Sequence, residues 1–129
     1  MNARRVFSGA PWEKQVGYCR AVRLGGHIFV SGTAASDGKG GVHAPGDAYA
    51  QAKRCWEIVQ KALRDVNADT KHVVRTRMFV TDISRWEEYG RAHREFFGEH
   101  PPATAMLEVK GLIHPDMLIE VEADALAPT

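Results

Sequence analysis

This sequence is short of the features that would identify most protein classes at sight. It has two cysteines, Cys19 and Cys55, in 129 residues, with no spaced framework for disulfides or a structural zinc. Charge of either sign is not in excess. Seventeen basic against sixteen acidic residues give a net charge of +1, which excludes the lopsided field expected of a chain that grips nucleic acid or anionic membrane. No apolar run is long enough to span a bilayer, and the two arginines near the start are not followed by an apolar export segment. These absences predict a reduced, cytoplasmic protein, with no membrane partner and no nucleic-acid partner. The length predicts one domain, residues 1–129, able to bury a core without staples.

What is present reads as alternating strand and helix signals. Arg4 to Phe7 is a candidate edge strand, and Val16 to Leu24 a second. Gly25-Gly26 then makes a tight hairpin into HIFVSGT, His27 to Thr33, because paired glycines tolerate the positive φ angles of a two-residue turn. Gly32 inside that strand predicts a bend or a close approach. Ala35 to Asp47 is a glycine-rich loop whose spacing fits no phosphate-binding motif. Asp47 caps a helix to about Val66 with one apolar stripe, in which Cys55 is a small buried hydrophobe rather than a reactive thiol.

His72 to Thr81 follows as a strand with Val74, Thr76, Met78 and Val80 on one face and Arg75, Arg77 and Phe79 on the other. The spacing of Ser84 and Glu87 predicts a capping box opening a second helix, with Trp86, Tyr89, His93 and Phe96 inward and Gly98 at its end. The stretch from Pro101 to Ala125 closes the chain with two strands. In the last of them Met117, Ile119, Val121 and Ala123 alternate with Leu118, Glu120, Glu122 and Asp124.

The pattern predicts an α+β fold: a mixed, mostly antiparallel six-stranded sheet with two helices on one face. The other face would carry Phe29, Arg77, Phe79, Leu118 and Glu120, too apolar for water throughout and too charged for a core. Burial against copies of the same chain, with charges surviving in clefts between subunits, satisfies both properties.

The six histidines show no HExxH and no ligand cluster, so no metal or cofactor is expected, and Ser31 lacks the GxSxG elbow of a serine hydrolase. An acid/base reading centred on Glu120 remains, because a carboxylate at an enclosed, apolar strand position is pushed toward a neutral pKa, where it can hold water or pass a proton. Tyr18, Ser31 and an arginine are its candidate helpers. A solvated strand glutamate is the plain alternative, as a salt-bridged strand face is for Arg75 and Arg77.

GYCRAV at Gly17 to Val22, HIFVSGT, the helix from Asp47, FVTDI at Phe79 to Ile83, PPATAMLEV at Pro101 to Val109 and the closing LIEVEADA occur in an order and spacing that resembles the YjgF/Rid family over nearly the whole chain. The resemblance implies a chorismate mutase-like fold, a homotrimer with three clefts between subunits, and hydrolysis of reactive enamines and imines to ammonia and a 2-oxo acid. It implies Glu120 as the residue that positions the attacking water, with Tyr18 and Ser31 beside it as substrate-binding residues. It also marks a departure: where the best-known branch has a carboxylate-gripping arginine after Pro-Ala, this chain has Thr104. A neutral hydroxyl offers one donor in place of a charged bidentate fork. The expectation is an altered specificity, with Arg77 or Arg20 as a displaced cation, or a non-catalytic trimer that binds a small molecule.

Overall fold

A computed structural model describes residues 2–129. The chain runs β1 (Arg4–Val6), α1 (Pro11–Val16), β2 (Ala21–Leu24), β3 (His27–Ala34), α2 (Ala48–Asp65), β4 (Val73–Val80), α3 (Trp86–Phe97), β5 (Ala103–Glu108) and β6 (Ile119–Leu126). The six strands form one sheet in the order β1-β2-β3-β6-β4-β5. All neighbours are antiparallel except β4 and β5. The fold is thus the expected mixed α+β architecture, with α2 and α3 packed together over one face of the sheet.

Strand β6 lies at the centre because its alternation suits both neighbours. Ile119, Val121, Ala123 and Ala125 are buried against α2 and α3, while Glu120, Glu122 and Asp124 project from the opposite face. Leu118, expected among them, instead packs against the rim of the core. In α2 the Asp47 carboxylate accepts from the Ala50 N–H, and Ala48, Ala52, Cys55, Trp56, Val59 and Leu63 form the buried stripe. Cys55 is fully buried, and burial pushes its thiol pKa far up, so it is a packing residue.

Four local expectations are corrected. Val16 to Tyr18 are not strand: Pro11 starts a six-residue helix, Gly17 ends it at φ +90°, and β2 begins only at Ala21, which leaves Cys19 in the connection. In β4 the register against β6 shifts between Val73 and Arg75, so Val73 is buried and Val74 is half exposed. The capping box at Ser84 does not form. Asp82 accepts from the Ser84 N–H and hydroxyl, a 3-10 turn covers Ile83–Arg85, and α3 starts at Trp86. Trp86 consequently faces outward, and the buried residues of α3 are Tyr89, Ala92 and Phe97, with His93 and Phe96 partly buried.

Candidate functional site

The β3–β6 pairing sets the geometry around Glu120. The register slips between Val30 and Thr33, and the bulged strand brings Gly32 beneath the Glu120 side chain. A Cβ at Gly32 would lie 3.0 Å from Glu120 Oε2 and 3.1 Å from Cδ, so any side chain there would have to push the carboxylate aside. This is the close approach that a glycine inside HIFVSGT implied. Among the described residues, the Glu120 carboxylate takes no hydrogen bond. Burial raises its pKa above the usual carboxylate value; the nearby Arg20 guanidinium opposes the shift and Glu122 adds to it.

Glu120 lines a cavity of about 790 Å³, walled by α1 and the segment before it, the glycine-rich loop, α2 and the segment from Gly111 to Met117. That volume lies within the usual range for small-molecule sites. Arg20, only 6% exposed, lies on its floor. All of its N–H groups are engaged. Nε and NH2 approach Glu13 Oε2 at 3.4 and 3.3 Å, NH1 donates to Gly32 O at 2.6 Å and Thr33 Oγ1 at 2.9 Å, and NH2 reaches the Tyr18 hydroxyl at 3.5 Å. Glu13, 4% exposed, also accepts from the Ser8 backbone N–H and hydroxyl. Burial alone would raise the Glu13 pKa, but the Ser8 hydrogen bonds and Arg20 together hold it below the ordinary value.

The candidate residues are therefore only partly assembled. Tyr18 lines the cavity with Glu120. Ser31 does not: its hydroxyl donates to Cys19 O at 2.6 Å and fastens the lead into β2 to the bulge in β3. Arg77 shares the outer face but pairs with Glu122 at 3.7 Å and Asp124 at 3.4 Å, one register step beyond the Phe79–Glu120 pair. Thr104 lies two strands away and points to the helix side, accepting a hydrogen bond from the Thr76 hydroxyl at 2.7 Å; that same hydroxyl lies 2.7 Å from His93 Nε2. Within one chain, neither Arg77 nor Thr104 meets Glu120. The Glu13–Arg20 pair was not anticipated, although Pro11 at a helix start and Gly17 just past a helix end were the signals for the turn that carries Glu13. No group of metal-ligating side chains is found among the described residues.

Sheet, helices and cavity define a small α+β protein with a partly buried acid facing a cavity of small-molecule size. The chain belongs to the family described as endoribonuclease L-PSP, whose model matches residues 10–127. It is 36% identical over 122 residues to an uncharacterized protein of Streptomyces coelicolor, covering 95% of this chain and 90% of that one. It is 34% identical over 124 residues to a RutC family protein of Pyrococcus abyssi, covering 95% and 97%. The crystal structure of a YjgF/YER057c/UK114 family member from Mycobacterium tuberculosis superposes with a TM-score of 0.88 at 42% identity, covering 98% of this chain and all of that one. The resemblance read from the sequence motifs and the comparisons agree on the family.

Proposed function

We propose that this protein is a small-molecule hydrolase, a deaminase acting on a reactive imine, enamine or related metabolite in clefts that a cytoplasmic homotrimer completes. The observation that carries the reading is the Glu120 carboxylate, pressed against Gly32, raised in pKa by burial and facing a cavity of small-molecule size. A carboxylate of raised basicity accepts a proton from water as the water oxygen bonds to the carbon of a C=N group. The carboxylate passes that proton to the imine nitrogen, giving a carbinolamine; the carbinolamine hydroxyl then gives its proton to the same nitrogen as the C–N bond breaks, and ammonia and a carbonyl product leave. The trimer accounts for the outer sheet face, which carries the half-exposed Phe29, Phe79 and the charged pairs of Arg77. In this reading Thr104 reaches a cleft from a neighbouring copy, and its neutral hydroxyl shifts specificity away from substrates held by a carboxylate.

A second reading has an observation of its own. Arg20, the cation nearest to hand for Glu120, is saturated by its own chain and offers it no hydrogen bond. A non-catalytic trimer using Glu120 as a hydrogen-bond anchor fits that arrangement. Ammonia release from freshly generated imines, in the parent and in Glu120→Gln, separates the two: turnover lost in the variant supports hydrolysis, whereas no turnover with ligand-dependent heat protection supports binding. Thr104→Arg should create or raise activity on carboxylate-bearing imines. Cleavage of RNA, which the family description names, is not favoured by a net charge of +1.

A further inference from the structure

Once the charged groups around the cavity are matched with their partners, one is left over. Three cationic side chains, Arg20, Arg54 and Lys61, line it, and each is already engaged. Arg20 is spent on Glu13, Gly32, Thr33 and Tyr18. Arg54 donates to Ser36 O at 2.9 Å and lies 3.8 Å from Glu57, and Lys61 pairs with Asp65 at 2.9 Å. The fourth basic group, His114, accepts the Asp116 N–H at Nδ1. On the acidic side, Glu57 and Asp65 are the partners just named, and Glu120 is left over. The remaining wall is apolar and open to a ligand: Phe7, Val16 and Ile113 are 66, 73 and 64% exposed, with Met117 and Ile58 behind them.

From this arrangement we infer that the cavity selects a molecule bearing a cationic nitrogen, a protonated imine or amine, attached to an apolar group of several carbons and lacking a carboxylate. A carboxylate that takes no hydrogen bond, in a partly buried recess, attracts a cation and repels an anion; a ligand carboxylate beside it would find the buried Arg20 with no N–H left to give, and the free N–H groups of Arg54 and Lys61 only at more exposed positions on the wall. An apolar tail displaces water from Phe7 and Ile113, which a small polar imine leaves exposed. The inference rests on the proposed use of the cavity and names the class of ligand within it.

Calorimetric binding of four unreactive probes to the intact protein tests it: phenethylamine, ethylamine, hydrocinnamate and free phenylalanine. Phenethylamine should bind at least about tenfold more tightly than hydrocinnamate or phenylalanine, and Glu120→Gln should abolish that preference. Ile113→Ser, at a site exposed enough to leave folding intact, should weaken phenethylamine by about fivefold and leave ethylamine unchanged. Equal or tighter binding of either carboxylate, or no heat from phenethylamine at concentrations of about 1 mM, overturns the inference. Ammonia release measured in parallel reads the hydrolase proposal separately. Amine binding without turnover of any imine leaves the ligand class standing and removes the hydrolase, whereas efficient turnover of a carboxylate-bearing imine does the reverse.

Discussion

Truncating Glu13 should be among the most damaging single changes in this chain, although the residue sits on a six-residue helix. Glu13 and Arg20 are 4 and 6% exposed and lie 3.3 Å apart, so Glu13→Ala leaves a buried guanidinium without its paired carboxylate, with only the nearby Glu120 to offset its charge. Removing one partner of such a pair costs about 3–5 kcal/mol. Arg20 retains Gly32 O and Thr33 Oγ1, which places the expected loss near the lower end, about 3 kcal/mol. For 129 residues the unfolding entropy is about 0.27 kcal/mol/K, so the midpoint should fall by about 11 °C. The assay is thermal and urea unfolding at one fixed protein concentration, with Glu13→Leu, Arg20→Met and Glu13→Leu/Arg20→Met compared in a cycle and Glu13→Ala measured beside them. The double variant should recover most of the loss, because apolar groups of similar volume replace a buried pair at little cost. A loss below about 1 kcal/mol in Glu13→Ala, or a double variant as unstable as the single one, would refute the reasoning. The folded pKa of Glu13 is depressed, so its stabilisation is present above the unfolded carboxylate value and disappears as pH falls through the folded one. The gap between parent and Glu13→Gln should therefore close on acidification.

Three further outcomes follow from the same geometry. Glu120 carries the opposite sign: its raised pKa means that ionising it costs folding energy as pH rises through the folded value, so Glu120→Gln should be more stable than the parent at neutral pH while losing function, as urea midpoints will show. Gly32→Ala should cost less than about 1 kcal/mol, because the neighbour it meets at 3.0 Å is the movable end of Glu120, yet it should lower ammonia release or ligand affinity about tenfold by displacing that carboxylate. Burial lowers the His93 pKa to about 4 from an unfolded value of 6.5. Its contribution is complete above the unfolded value and is lost between the two as pH falls; with solvent screening of a partly exposed ring this amounts to about 1–2 kcal/mol, and a neutral His93→Gln variant should flatten that part of the stability profile.

Much of the scaffold was legible because its patterns are long. β6 alternates over eight residues, and only one face of that alternation suits a position between two strands and beneath two helices. The stripe of α2 repeats over eighteen residues, and Gly25-Gly26 permits few conformations other than a tight hairpin. The misreadings share a scale of one or two residues. PWEKQV is too short for a helical period to emerge, so its cap residues were the available sign. The slip at Val73/Arg75 reverses the face of Val74 without changing the composition of the strand.

For the site, Glu120 stood out as a carboxylate beside Leu118 on one strand face, but sequence spacing does not carry strand registry. Arg77 faces Glu122 rather than Glu120, and Thr104 faces Thr76 and hence the helices. Arg20 was named as a possible ligand cation. The buried acid that saturates it comes from the helix that was missed.

The most direct test of the central claim is the pH dependence of ammonia release from freshly generated imines, from about pH 4 to about pH 9, in the parent and in Glu120→Gln. The account predicts turnover in the parent with an acid limb set by a carboxylate of raised pKa, and rates at least about a hundredfold lower and without that limb in the variant. Equal rates and the same profile in both proteins would contradict it.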